Sequence, residues 1–430
     1  MSATFSAASA AALESPAPGT TALADRLLNF ILFVTVLLSS VVFIEPSPHD
    51  GMMMVLLVMC FAARLPFDRK LVPLLLILFA WLIGGWFALL EPVDQEQKFL
   101  YDWTSFYLAL ATLTFACLFS AGNMIRLAIL RRAYIIAAVL ATVAGYIGFF
   151  HLLPGSDIFL DNERVSATFK DPNVYGPFLV FPLLMLMFGL VTNGFRLSRL
   201  ALLLFLMGGL FLSFSRGAWI HFAVSATIGI FLLYANASDS RMRSRIVLLI
   251  IIAVIGAALL FIAMTSIDSV RDMLLLRAKA IQPYDVGPGG RFSLQKLALS
   301  AILDHPNGMG PSGFGLAYGG QQHNVYMQCF LVYGWLGGTM YLTLVMLTFV
   351  IGFANVRVRT PWQPFLIAAY ATFIGEALEG MIVDTDHWRH FFLVVGMVWG
   401  LSVANINLRR GARARLRAED EVRLAARSVA

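Results

Sequence analysis

An all-α integral membrane protein with about 12 transmembrane helices is predicted by three observations. First, 59% of the 430 residues are hydrophobic and only 13% are charged, against about 45–50% apolar and ~25% charged in a soluble domain. With a mean hydropathy of +0.78, there is too little polar side chain to coat a water-soluble body of this size. Second, the apolar residues gather into runs of about 17–25, the length that spans a bilayer as a helix. Third, the basic residues segregate onto alternate loops between those runs, which orients the chain.

The runs fall near 27–45, 51–63, 71–90, 99–121, 133–153, 174–192, 200–213, 217–235, 246–265, 325–353, 362–380 and 390–406. The second and seventh are short, and the tenth is long enough to tilt or to begin outside the bilayer. An even count puts both termini on one side. The loops of that side, with Arg26 and the C-terminal arginines, carry 21 of the Lys and Arg residues, and the other side carries 10. Both termini are therefore expected in the cytoplasm. The acids run the other way, 7 inside and 18 outside, so the net charge of +6 reports orientation and a basic tail at 407–430 beside anionic bilayer lipids. No nucleic-acid partner is implied.

The expected organisation is a disordered cytoplasmic N-terminus at 1–26, nine spans over 27–265, a long outer loop at 266–322, three spans over 323–406, and the tail. Residues 1–26 lack the basic region of a secretory signal. Cys60, Cys117 and Cys329 lie in apolar runs without metal-ligand spacing and read as inert core thiols.

On this topology six histidines, 49, 151, 305, 323, 387 and 390, fall in or beside outer loops, and His221 sits one turn inside an outer helix end. Chemistry is expected to face away from the cytoplasm, and no GxxxxGK[ST] phosphate loop is present to bring ATP to it. Three outer segments hold residues that chemistry could use. Residues 154–173 read PGSDIFLDNERVSATFKDPN. The turn SFSRGAW places Arg216 between two apolar runs, where a cation is costly unless it snorkels or meets an anion. The 266–322 segment is far longer than a simple connection, and contains VGPGGRFSLQKLALSAILDHPNGMGPSGFG.

Within that segment Arg291–Leu303 reads as an amphipathic helix, on the membrane surface or against the spans, ended by Pro306 and Gly308. Arg291 would then open a helix whose free N–H groups favour anions. Against the bland reading of a solvated arginine stands its company: Arg216, Arg291, Arg164 and Lys170 on one face together resemble a clamp for phosphate or pyrophosphate. His323-Asn324 closes the long loop, and a histidine can exchange a proton near neutral pH, although a lone interfacial histidine is as readily structural. Asp384, Asp386, His387, Arg389 and His390 form a second cluster, either an acceptor-binding rim or a solvated turn. Glu376 and Glu379 lie near the outer end of the eleventh span, functional or paired with an arginine.

These residues carry a resemblance. His323-Asn324 followed after nine residues by Gly334 and then by Gly337, SFSRG at 213–217, TFKDPN at 168–173, and Gly290-Arg291 through HPNGMGPSGFG resemble the motifs of the O-antigen ligases and the wider ligase and polymerase superfamily of surface-polysaccharide enzymes. The resemblance covers roughly 160–400. It implies a metal-independent, cofactor-free glycosyltransferase in the bacterial inner membrane, facing the periplasm, with a glycan on undecaprenyl pyrophosphate as donor. It implies that Arg216 and Arg291 clamp the pyrophosphate and that His323 is the general base. Arg164, Lys170, Asp171, Asn173, Asn324, Asp386 and Arg389 are the expected substrate-binding residues. The acceptor would be lipid A core or another glycan, and other polysaccharide-assembly membrane proteins are possible partners. A repeat-unit polymerase of the same superfamily fits equally. A transporter or flippase of lipid-linked sugars fits less well, because the cytoplasmic halves of the spans lack the acids and histidines of a two-sided path.

Overall fold

The computed structural model describes residues 22–43, 46–88, 95–237, 239–277, 287 and 289–428. The expected disordered segment up to 21, and 278–286 of the expected long loop with Lys279, lie outside the described residues.

Among the described residues, each of the twelve apolar runs contains helix. The chain order is α1 (Ala22–Leu38), α2 (Pro48–Ala62), α3 (Val72–Ala88), α4 (Gln95–Phe119) and α5 (Met124–Phe149). A small hairpin follows, β1 (Leu160–Asp161) and β2 (Arg164–Val165), then α6 (Pro172–Phe178), α7 (Val180–Thr192), α8 (Leu197–Leu212), α9 (Arg216–Asn236) and α10 (Ser240–Thr265). The remainder is α11 (Asp268–Arg277), α12 (Arg291–Asp304), α13 (Gly313–Tyr318), α14 (Val325–Asn355), α15 (Gln363–Glu379) and α16 (Arg389–Ser428). The first helix begins at Ala22, five residues before the expected span, so 22–26 are helical. The basic C-terminal segment continues the last helix as far as Ser428.

Eight helices among the described residues are long and apolar enough to cross a membrane, rather than twelve. The two runs read as short, Pro48–Ala62 and Leu197–Leu212, are apolar helices below that length. α1 and α15 have 17 residues each.

Burial sorts the bundle. The Pro172–Thr192 segment is apolar all round and 94% of its window is buried, so it occupies the centre. Ser240–Ala263 is more hydrophobic still, yet only 12% of its window is buried, so its apolar surface is left for lipid. α14 packs along α3, α16 along α4, and α9 along α15. α12 packs on α14, burying Leu294, Ala298 and Ala301 with Phe314 and Leu331. Of the apolar positions read from the sequence of α12, Phe292, Leu297, Leu299 and Leu303 are exposed. The buried stripe is formed by one leucine and two alanines because small side chains admit a close helix neighbour.

Candidate functional site

Three of the sequence motifs are helix starts. Asp171 of TFKDPN caps α6, its carboxylate accepting from the Asn173 amide at 2.7 Å, with Pro172 at the first helical position. Ser215 of SFSRG caps α9, accepting from the Ala218 amide. Asn324 of the HN pair caps α14, accepting from the amides of Tyr326 and Met327. Short polar side chains with local reach were selected at these positions, and each delivers a motif residue to a helix end.

Arg216 is the first residue of α9 and is half-buried. Its turn is tightened by Phe214, a non-glycine residue held at φ 47°, a conformation that costs about 1–3 kcal/mol and persists only where its surroundings enforce it. The enforcement comes from the other motifs. Arg164 Nε donates to the Ser213 carbonyl at 3.1 Å and Nη2 donates to Asn173 Oδ1 at 2.9 Å. That same oxygen accepts from Ser215 Oγ at 2.9 Å. Asp171, Asn173 and Arg164, expected to bind substrate, are thereby built into the brace that shapes the Arg216 turn. Arg164 is 8% exposed. Lys170, in contrast, is exposed at the rim.

His323 is also held in the left-handed region, at φ 49°. Its side chain is half-exposed, and Nδ1 lies 3.4 Å from Asp384 Oδ2, leaving Nε2 as the nitrogen turned from the carboxylate. Asn324 does more than cap: its Nδ2 donates to the Met381 carbonyl at 3.0 Å, and the Val325 amide donates to the Gly380 carbonyl at 2.8 Å. The start of α14 is thus stitched to the turn that follows α15.

The spacing between HN and the first glycine has a physical reason. α14 is broken at Gly334, whose φ of 66° and ψ of −171° are open to glycine alone. Into this break fits the HPNG turn after α12. The Trp335 amide donates to the Pro306 carbonyl at 2.8 Å and the Met309 amide to the Leu331 carbonyl at 2.5 Å, while a Cβ on Gly334 would lie 2.6 Å from the Pro306 oxygen. The glycines therefore seat the long segment on α14. Arg291, at the other end of α12 and half-buried, opens that helix as expected. One turn on, Gln295 Nε2 donates to the carbonyls of Gln322 and Met381 at 3.2 and 3.4 Å.

The 379–384 turn is consequently where the three elements meet. It touches α9 beside Arg216 through Glu379, α12 one turn after Arg291 through Met381, and His323-Asn324 through Gly380, Met381 and Asp384. The expectation of arginine partners for Glu376 and Glu379 is replaced by histidines: His221 Nδ1 lies 2.9 Å from Glu379 Oε2, and His390 Nε2 lies 3.0 Å from Glu376 Oε1. All four side chains are within 5% of complete burial.

The cluster at 384–390 divides. Asp384 faces His323. Asp386 is buried, accepting from Tyr101 Oη at 2.5 Å, and burial raises its carboxyl to about 7 against the countervailing hydrogen bond. His387 stacks on Tyr101 at 3.9 Å and bonds Ser105 Oγ at 3.0 Å; burial pushes it down to about 3, so it is neutral near pH 7. Arg389 grips Asp50 in a bidentate pair at 2.6 and 2.7 Å, joining α16 to the start of α2. Neither the acceptor rim nor the solvated turn describes Asp386 and Arg389, which sit inside the protein as joints. Sequence reasoning missed Asp384 as the partner of His323 and Glu379 as the residue behind Arg216. The acidic cluster signalled the first, and an intramembrane carboxyl the second.

Residues 200–342, about a third of the chain, match the family model described as O-antigen ligase. The match begins in α8 and ends in α14, taking in Arg216, Arg291, His323 and Gly334. No curated protein matches the sequence. The matched segment, the helical membrane protein around it, and the order of motifs within it support the resemblance to the O-antigen ligase superfamily.

Proposed function

We propose that this protein is a membrane glycosyltransferase that moves a glycan from undecaprenyl pyrophosphate to a sugar hydroxyl, as an O-antigen ligase does, on the periplasmic face of the inner membrane. One observation carries the reading: the helix starts bearing Arg216 and Arg291 and the His323-Asn324 pair are drawn to a single turn, 379–384, although together they span more than a hundred residues of sequence. The acceptor is lipid A core or a growing glycan. The shorter apolar helices complete twelve crossings with both termini in the cytoplasm, in keeping with the charge asymmetry of the loops.

In this reading the acceptor hydroxyl oxygen attacks the anomeric carbon as the bond to the pyrophosphate oxygen breaks. The hydroxyl proton passes to His323 Nε2, while Asp384 beside Nδ1 orients the ring and stabilises the imidazolium that forms. The leaving pyrophosphate takes the bonding electrons, and the guanidinium groups of Arg216 and Arg291 stabilise its developing charge. Displacement in one step inverts the anomeric centre. The driving energy resides in the glycosyl–pyrophosphate bond that breaks, so no nucleotide is needed, and the arginines stand where a metal would otherwise stabilise the leaving group.

The test is transfer by purified protein in detergent, with a lipid-pyrophosphate-linked glycan and acceptor, without a membrane gradient and with chelator present. Product with inverted configuration is expected. Absence of product with active donor, or strict dependence on a divalent cation, overturns the proposal. The cellular arm is deletion of the gene: lipid-linked long chains accumulating with loss of O-antigen fits the ligase, and lost chain growth fits a polymerase.

A further inference from the structure

The buried His221–Glu379 pair is assigned no part in the transfer chemistry, yet its carboxyl packs against Gly217, the residue after Arg216. Glu379 Oε2 is 2.9 Å from His221 Nδ1, one turn along α9 from Arg216. Its other oxygen occupies the place a side chain would take at position 217: a Cβ on Gly217 would lie 2.6 Å from Oε1. The residue after Arg216 is a glycine because the Glu379 carboxyl is packed onto the α9 backbone there.

The backbone of Glu379 reaches the opposite half of the site. Its carbonyl accepts from the amides of Ile382 and Val383 at 2.9 and 3.1 Å, which folds the turn whose next residue, Asp384, faces His323. Gly380 and Met381, immediately after it, hold the Val325 amide and the Asn324 side chain. One residue thus joins the element that bears the proposed anion clamp to the element that bears the proposed base.

A carboxyl and an imidazole at 1% and 0% side-chain exposure are expensive inside a membrane protein, and an aliphatic pair of similar volume would pack there at lower cost. The protonation pattern explains how the pair is tolerated. His221 Nε2 lies 3.1 Å from the Thr372 carbonyl, which can only accept, so Nε2 carries a hydrogen. The Nδ1–Oε2 contact then contains one further proton, on whichever partner. The pair is directional and neutral overall, and it fixes α9 against α15 at one rotation, which apolar packing does not.

We propose that Glu379 is a positioning residue: its side chain, through His221 and Gly217, sets the α9 turn that presents Arg216, and its carbonyl sets the turn that faces His323, holding clamp and base at one separation. This rests on the reading of Arg216 and His323 given above, and the experiment separates the two.

Purified protein is titrated with undecaprenyl pyrophosphate, and glycan transfer is measured in parallel. His221→Ala and Gly217→Ala disturb only the α9 branch and are expected to weaken undecaprenyl pyrophosphate binding about tenfold, with acceptor KM unchanged. Glu379→Ala keeps the backbone carbonyl but removes the anchor that fixes the end of α15 against α9, so the turn facing His323 is no longer held at one position, and its kcat is expected to fall on the order of 10²-fold beyond the loss of binding. Glu379→Gln can donate to or accept from Nδ1 and is expected to stay within about threefold of wild type. A residue that only stabilised the fold would lower yield and thermal midpoint while leaving Kd, acceptor KM and the Gln rescue without this pattern. If Glu379→Ala does not insert, His221→Ala and Gly217→Ala decide. Unchanged binding in those two, or Glu379→Gln as impaired as Glu379→Ala, overturns the positioning role. Arg216→Ala is the control: binding lost there but kept in the α9 variants removes only this inference, whereas wild-type binding in Arg216→Ala removes the functional reading itself.

Discussion

Two histidine–carboxylate pairs, His323–Asp384 and His221–Glu379, sit on either side of the same turn, and burial separates them. The first is half-exposed on its histidine side, with a contact of 3.4 Å; the second is sealed, with a contact of 2.9 Å. An exposed imidazole can meet a substrate hydroxyl and pass its proton to water. A sealed one has both nitrogens committed to protein and can only hold elements in place. The arginines divide in the same way. Arg164 is buried and Arg389 is 13% exposed, each bonded to the partners named above, while Arg216 and Arg291 stand half-exposed at helix starts, where the dipole favours an anion.

The comparison breaks most decisively at His323. His323→Ala is expected to reduce transfer by about 10³-fold or more, roughly 4 kcal/mol of barrier, with insertion unchanged. Steady-state transfer by the purified variant checks this, and near-wild-type turnover would remove the base from the mechanism. Next in size are Arg216→Ala and Arg291→Ala, each expected to cost about 10²–10³-fold in transfer with loss of donor binding. Lysine at either position should recover only part of this, because a point charge does not reproduce a planar fork.

The arginines tied into the protein should behave otherwise. Arg389→Ala leaves Asp50, 14% exposed, without its bidentate partner, and is expected to cost about 3–5 kcal/mol of stability, with acceptor KM unaltered in the protein that folds. Thermal midpoint and acceptor KM measured on one preparation distinguish a joint from a rim residue. A raised acceptor KM at normal stability would return Arg389 to the substrate.

The smallest effect is a pH dependence from Asp386. Its folded carboxyl titrates near 7, above the ordinary 3.8, because it is buried. The native state therefore keeps a proton that the unfolded chain has released, and stability present below about 4 drains as pH rises through about 7. Asp386→Asn should flatten the fall in thermal midpoint between about pH 5 and 8. An unchanged slope would assign the dependence to another group.

Much of this was legible from residue order. The apolar runs became helices, eight of them long enough to span among the described residues, and α12 starts at the arginine expected to open it, because Gly-Gly before it and Pro after it act on the local backbone. Asp171, Ser215 and Asn324 cap helices because their short side chains reach amides two or three residues on. What could not be read was the partner of each polar group. Arg164, Asn173 and Ser215 form one brace across 51 positions of sequence, and Arg389 meets Asp50 across 339. In the sequence each of them looks like a free group beside a substrate.

The sequence by itself determined a membrane solvent and three helix-start motifs, since hydropathy and capping depend on neighbours in the chain. Only the tertiary structure decided which polar residues remain available at the surface of the site and which are consumed in holding it. That choice turns on burial and on hydrogen-bond partners brought from distant helices, and a buried charge left without such a partner would cost more than the packing around it returns.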